Sequence, residues 1–468
     1  LGFLFLSFAF CLLPFALRHS RPFICGVISV WGKSLAQPTQ EGLIRGISRW
    51  SLVALTINGI IGAGIFGLPS KVFAQTGTYS LLAFITCATV VVCIILCFAE
   101  VGSRFSATGG PYLYAREAFG AAVGFEVGWL SWLSRLTAFA ANCNLLVDYL
   151  GFFWPQATAL YWREAVIIAV VVLLTIVNVI GVRDTAMVSN VFTIGKLIPI
   201  LLFIAIGLFF INAGNYSLAE PPGYAAFSQS VLMLIYAFTG FEMAVIPAGE
   251  THDPQRNLPR AMLTAIVVVT LLYIGIQVVC IGTLPGLATS QRPIADAGNL
   301  FLGRAGAALI SAGIMVSIIG NLNVLILAAS RLPFAMGEGG ELPLWLARTH
   351  RRFHTPHIAI LITVAVMLAL TLWSTFSKQV NLSALTRLLS YSVTCAALIA
   401  LRKRSDAPPA LFKAPAGVAL AIVSLALAVW LLSNSTLLDA RDTAIAAAIG
   451  MVLFFAYRLA RRKAASST

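Results

Sequence analysis

Four glycines interrupt an apolar run that otherwise reads as a membrane helix. They are Gly59, Gly62, Gly64 and Gly67, with Pro69 close behind. Each glycine weakens a helix by roughly 1 kcal/mol relative to alanine. Backbone released from a helix inside lipid persists only where it lines a protein-enclosed cavity. The pattern therefore points to a ligand site near the bilayer midplane, built from main-chain groups rather than side chains. Two cations stand in similarly apolar surroundings. Lys196, in VFTIGKLIPILLF, has apolar neighbours on both sides for a full turn or more. Its cost near the bilayer centre, roughly 2.5–3.5 kcal/mol even on a lenient scale, directs it to the bundle interior. Arg135 lies deep in GWLSWLSRLTAFAANCN. It can pair with Glu126, Asp148 or Glu242, or it can recognise an anionic ligand group.

Other chemistries lack their residues. The eight cysteines fall mostly inside apolar stretches without a C-x-x-C and read as small packing residues. The histidines lie in predicted loops or in the N-terminal segment. No metal cluster, G-x-S-x-G elbow or nucleotide-binding loop occurs, so the sequence predicts no metal, no cofactor, no catalytic residue and no enzyme.

The elements that must position these residues are membrane helices. The chain has 468 residues, 59% hydrophobic and 10% charged, against about 25% charged in a soluble protein. Spans are predicted at about 51–76, 80–101, 122–150, 163–182, 188–212, 225–248, 261–283, 302–328, 357–375, 380–401, 413–433 and 442–459. Basic residues alternate between loops. One set includes Arg45, Arg104, Arg116, Arg256, Arg348 and Arg402, and the opposite set is sparse. The positive-inside rule makes the first set cytoplasmic and requires an even number of spans, with both core termini inside. The net charge of +14 is thus explained by topology, and a nucleic-acid partner is excluded. The lack of long tails points to a bacterial inner membrane. Residues 1–17 are apolar but lack the basic start of a signal peptide. They are read either as a dispensable extra segment or as an upstream extension of the reading frame.

A second interruption follows in the sixth span, at Gly240 within YAFTGFE, with Pro247 and Gly249 beyond it. Spans one and six are an odd number apart, so the two halves, about 49–212 and 225–401, would have opposite orientations. Paired breaks of this kind mark an inverted-repeat transporter. Spans eleven and twelve, within 402–468, fall outside the repeat, and residues 1–48 precede the core.

Four motifs carry a family resemblance: GIIGAGIFGLP from Gly59 to Pro69, FAEVGSRFSATGGPYLYAREAFG from Phe98 to Gly120, YAFTGFEMAVIPAGETHDPQRNLPRA from Tyr236 to Ala261, and SRLPFAMGEGGELP from Ser330 to Pro343. In these the chain closely resembles the amino acid–polyamine–organocation permeases. The resemblance implies a LeuT-type fold and amino acid transport by alternating access. Obligate exchange and polyamine or organic-cation transport are the alternatives.

A zwitterionic amino acid needs donors for its carboxylate and acceptors for its ammonium. The helix start at Gly62, Ala63 and Gly64 offers N–H groups at a positive end. Ile60, Tyr236 and Thr239 offer carbonyls, and Gly240 gives the close approach. The resemblance implies these same roles. It also assigns Tyr236, beside Phe238, as the aromatic gate over the substrate, with a hydroxyl that can order a water. Lys196 matches the lysine whose ammonium stands where sodium sits in sodium-coupled relatives, which implies proton coupling and sodium independence. Arg135, on a span that lines the side-chain pocket in this fold, would disfavour cationic substrates. Glu100, Glu242 and Glu250 with Arg256 and Arg260 read as structural or gate ion pairs. Asn321 and Asn323 either bond between helices or line the pocket. Pro293–Asp296 reads as loop, and Trp129, Trp162 and Trp373 as an interfacial belt.

Overall fold

The computed structural model describes residues 49–105, 110–180, 185–217, 220–245, 251, 253–353 and 355–466. The apolar N-terminal stretch, Pro247, Gly249 and Glu250 lie outside them. The architecture is all-α. In chain order the helices are α1 (Arg49–Ile60), α2 (Gly64–Thr76), α3 (Ser80–Gly102), α4 (Gly110–Phe119), α5 (Ala121–Leu150), α6 (Leu160–Ile180) and α7 (Thr185–Gly207). They continue as α8 (Tyr224–Phe238), α9 (Pro254–Thr283), α10 (Pro293–Glu338), α11 (His357–Leu372), α12 (Phe376–Lys403), α13 (Gly417–Ser433) and α14 (Leu437–Ser466). Among the described residues, seven segments are long and apolar enough to cross a membrane, with three shorter apolar helices besides. This is a polytopic membrane protein. Against the twelve spans of the sequence reading, the Gly64–Gly102 segment holds two, the three shorter apolar helices stand for three more, and α5 carries Glu126, Arg135 and Asp148.

Despite its polar residues, α5 is buried along most of its length. It packs against α4, α10, α11, α12 and α14. The broken helices pack on one another and on their neighbours: α2 on α8, α8 on α3, and α1 on α9, which also packs on α3.

Three features depart from the sequence reading. The loop after α3 contains a short helix, α4. Pro293 opens α10 rather than a loop, since a proline at the first helical position forfeits no helix hydrogen bond. Trp129 is not interfacial. It is 7% exposed, and its indole N–H donates to the Ala446 carbonyl at 2.8 Å, because α14 covers that face of α5. Trp162 and Trp373 do stand exposed.

One ion pair ties the elements far from the breaks. Glu100 is fully buried and accepts from Arg402 Nε at 2.6 Å and Nη2 at 2.7 Å. It also takes the Ala414 N–H at 2.8 Å. The two parallel guanidinium bonds clamp α12 to α3.

Candidate functional site

Helix α1 stops at Ile60 and α2 starts at Gly64, so Ile61–Ala63 is non-helical link. Helix α8 stops at Phe238. Thr239 is extended, and Gly240 adopts φ 111°, ψ −9° before a 3-10 turn over Phe241–Ala244. The two links cross in backbone contact. A β-carbon on Gly59 would lie 2.8 Å from the Gly240 carbonyl oxygen, and one on Gly240 would collide with the Gly59 carbonyl. A β-carbon on Gly64 would lie 2.7 Å from Ala237 Cα. Glycine spacing in the sequence is thus a device for pressing two main chains together.

Each predicted group has a defined place at this crossing. The Gly62 N–H bonds back to the Ile60 carbonyl at 2.8 Å. The N–H groups of Ala63 and Gly64 have no acceptor among the described residues, and α2 has no side-chain cap. The Ile60 carbonyl also lies 3.2 Å from the Tyr273 hydroxyl, whose single proton is shared between it and the Ala237 carbonyl at 3.1 Å. The Tyr236 carbonyl accepts from Thr239 Oγ1 at 2.8 Å. Of the three acceptors expected from the sequence, Thr239 alone keeps its carbonyl without a donor among the described residues.

The Tyr236 ring lies on Gly64, its Cδ1 3.1 Å from where a β-carbon would stand. Its hydroxyl accepts from Asn142 Nδ2 at 3.0 Å. Phe238 is buried in an aromatic cluster with Phe84 and Tyr273, which leaves Tyr236 as the ring over the break. Lys196 donates its ammonium to the Ile61 carbonyl at 2.9 Å and the Asn58 carbonyl at 3.1 Å. These carbonyls stand at the negative end of the first half-helix, where a cation is favoured.

Arg135 forms no ion pair with any of its three candidate partners among the described residues. Asp148 pairs with Arg163 at 3.1 Å, and Glu242 with Arg387 at 2.9 Å. Both carboxylate oxygens of Glu126 are buried without a hydrogen-bond partner. Arg135 instead donates from Nη1 to the Ser131 carbonyl of its own helix at 2.8 Å. Asn323 bonds between helices, accepting from Asn178 at 2.8 Å. Asn321 reaches the break, its amide nitrogen 2.7 Å from where a Gly62 β-carbon would stand.

Residues 47–454 match the family model described as amino acid permease. The chain belongs to that family. This permease is 29% identical to the serine/threonine exchanger SteT of Bacillus subtilis over 440 residues, 91% of this chain and 99% of that one. It is 27% identical to the methylthioribose transporter of the same organism, over 90% of this chain and 95% of the relative. It is 29% identical to the human large neutral amino acids transporter small subunit 2, over 81% of this chain and 72% of the relative. The family and these relatives are transporters, so the permease is no enzyme.

Arg387 and Tyr273, beside the candidate site, escaped the sequence reading. Arg387 carried a visible signal, a cation inside the predicted span 380–401. Tyr273 carried none, being one aromatic in an apolar run. Its hydroxyl lies within donating distance of Ala237 O, 3.1 Å, as well as Ile60 O, and so joins the two half-helix ends. Tyr273→Phe is expected to weaken substrate binding by about 1 kcal/mol, roughly fivefold. Titration of the purified protein with its substrate checks this, and unchanged affinity would remove Tyr273 from the site.

A pocket of about 310 Å³ lies one turn along α2, lined in part by Gly67, Lys71, Asn144, Asp148 and Arg163. Phe376 lines it as well, its Cζ 2.7 Å from where a Gly67 β-carbon would stand.

Proposed function

We propose that this permease moves amino acids across the cytoplasmic membrane as a secondary transporter working by alternating access. The observation that carries the reading is the backbone crossing of the two breaks. It leaves the Ala63 and Gly64 N–H groups for a carboxylate and the Thr239 carbonyl for an ammonium, with the Tyr236 ring as cover. Around it stands a LeuT-type arrangement of twelve spans. Its halves, about 49–212 and 225–401, form an inverted repeat, and two further helices follow within 402–468. The loop charges orient both core termini to the cytoplasm of a bacterial cell.

Transport is proton-coupled and sodium-independent on this reading, because the Lys196 ammonium already holds the carbonyls that a sodium ion would need. Exchange is the second reading, and the similarity to a serine/threonine exchanger favours it. A polyamine carrier fits less well, since Arg135 and Arg387 would repel a polycation. Uptake of radiolabelled amino acids into proteoliposomes, with and without a pH gradient, separates these readings. Gradient-driven accumulation is expected. No uptake under a gradient, with uptake only into vesicles preloaded with amino acid, would sink symport in favour of exchange.

A further inference from the structure

Few cations stand on the side of the bundle opposite the core termini, yet Lys71 of α2 and Arg163 of α6 converge there on one cavity. It holds about 310 Å³, at the lower end of the roughly 300–1,000 Å³ usual for small-molecule sites. Lys71, Arg163, Asp148, Asn144, Gln291 and Ser374 form its polar wall. The rule that concentrates basic residues on the cytoplasmic side gives no reason for two cations here.

The bonds already made in this wall leave donors over. Arg163 donates from Nη1 to Asp148 Oδ1 at 3.1 Å and from Nη2 to Asn144 Oδ1 at 2.6 Å. The one carboxylate of the wall is thereby matched with one cation. Lys71 donates to the neutral Gln291 Oε1 at 3.0 Å and forms no ion pair among the described residues. Ser374 Oγ is buried without a hydrogen-bond partner. Beside it α12 begins, with Thr375 Oγ1 accepting the Lys378 N–H. The N–H groups of Phe376 and Ser377, which also line the cavity, have no acceptor among the described residues. An ammonium, a hydroxyl and two main-chain donors are thus left for an acceptor that the wall lacks. Hydrogen bonds from such donors are strongest to an anion.

We propose that this cavity is a second ligand site, separate from the crossing of the breaks, and that it takes the carboxylate of a small organic molecule. Lys71 supplies the charge, and the Ser374 hydroxyl and the start of α12 supply further donors. The volume exceeds what a lone halide fills, and the Asp148 carboxylate favours a ligand that keeps its negative charge at one end. A ligand here touches α2, α5, α6 and α12, and so bridges the half-helix that starts at Gly64 to the helices around it.

Thermal-shift titration of the purified full chain checks this, with sodium acetate replacing sodium chloride at constant ionic strength, and with L-alanine and ethylamine as further probes. A ligand that binds only the folded protein raises the melting temperature as its concentration passes its Kd. A saturable rise is expected with a carboxylate probe and none with ethylamine, which has the ammonium alone. In Lys71→Gln the half-saturating concentration should increase about tenfold, as for loss of one hydrogen bond to a charged group. Lys71→Arg keeps the charge and should stay close to wild type. Ser374→Ala should raise the half-saturating concentration severalfold, which preserves the test where Lys71→Gln fails to fold. A Lys71-dependent response to acetate identifies the ligand as any small carboxylate, and one confined to L-alanine identifies it as an amino acid. No saturable response to either, an equal response to ethylamine, or a half-saturating concentration unchanged in Lys71→Gln overturns the site. If that unchanged value rises instead in Gly64→Ala, the carboxylate lies at the breaks. Binding is read here without transport, so a failure of uptake in proteoliposomes would defeat the transport reading and leave this result standing.

Discussion

Gly240→Ala is expected to abolish transport. Two separate costs arise at that position. At φ 111° an alanine is held in backbone space that L side chains rarely adopt, on the order of 1–3 kcal/mol. Its methyl would also meet the Gly59 carbonyl, and overpacking of this kind typically costs about 1–3 kcal/mol more. Two control variants separate these costs. Gly77 also has positive φ, 55°, but no atom lies within 4 Å of a β-carbon built there, so Gly77→Ala carries strain alone. Gly59 sits in regular helix, so Gly59→Ala carries the collision alone, at 2.8 Å from the Gly240 oxygen. The expected order of damage to uptake is Gly240→Ala, then Gly59→Ala, then Gly77→Ala, with the last close to wild type. Initial uptake rates and melting temperatures of the three purified variants check this. Full activity in Gly240→Ala would mean that the crossing is not part of the transport site.

That order could not be written from the sequence, which shows where the main chain is weak but not what it is pressed against. Glycines in an apolar run and a lysine among aliphatic residues are local signals, so both breaks and Lys196 were legible. Their partners lie far along the chain. Tyr273 bonds a carbonyl 213 residues away, Asn142 meets Tyr236 across 94 residues, and Arg387 meets Glu242 across 145. No periodicity records such pairings. The same limit explains Trp129, which a span-end rule places at the lipid interface until α14 is seen to cover it. It also explains the roles assigned to single carbonyls. Ile60 and Tyr236 were plausible acceptors by position, but a carbonyl's vacancy depends on which donors the fold brings to it.

Lys196→Ala is expected to abolish gradient-driven uptake. The ammonium holds two carbonyls, of Asn58 and Ile61, at 3.1 and 2.9 Å. Both belong to the end of the first half-helix, so the lysine ties α7 to the break in α1. In an apolar interior each carbonyl left without a donor costs on the order of 1–3 kcal/mol. Loss of a proton from Lys196 removes the charge that strengthens both bonds and loosens the link from which Ala63 and Gly64 offer their N–H groups. Substrate binding and Lys196 protonation are then linked, and linkage is reciprocal: each must alter the affinity for the other. Arginine makes the test sharp, because a guanidinium does not give up its proton in a protein. Lys196→Arg should keep substrate binding and exchange between preloaded vesicles, while uptake ceases to respond to an imposed pH gradient. A purely structural cation would predict the opposite for Lys196→Arg, gradient response retained. Proton dependence that persists unchanged in Lys196→Ala would remove the residue from coupling altogether. Sodium added to Lys196→Ala supplies the last arm: uptake that becomes sodium-dependent would show that the carbonyls of Asn58 and Ile61 form a cation site which the lysine fills.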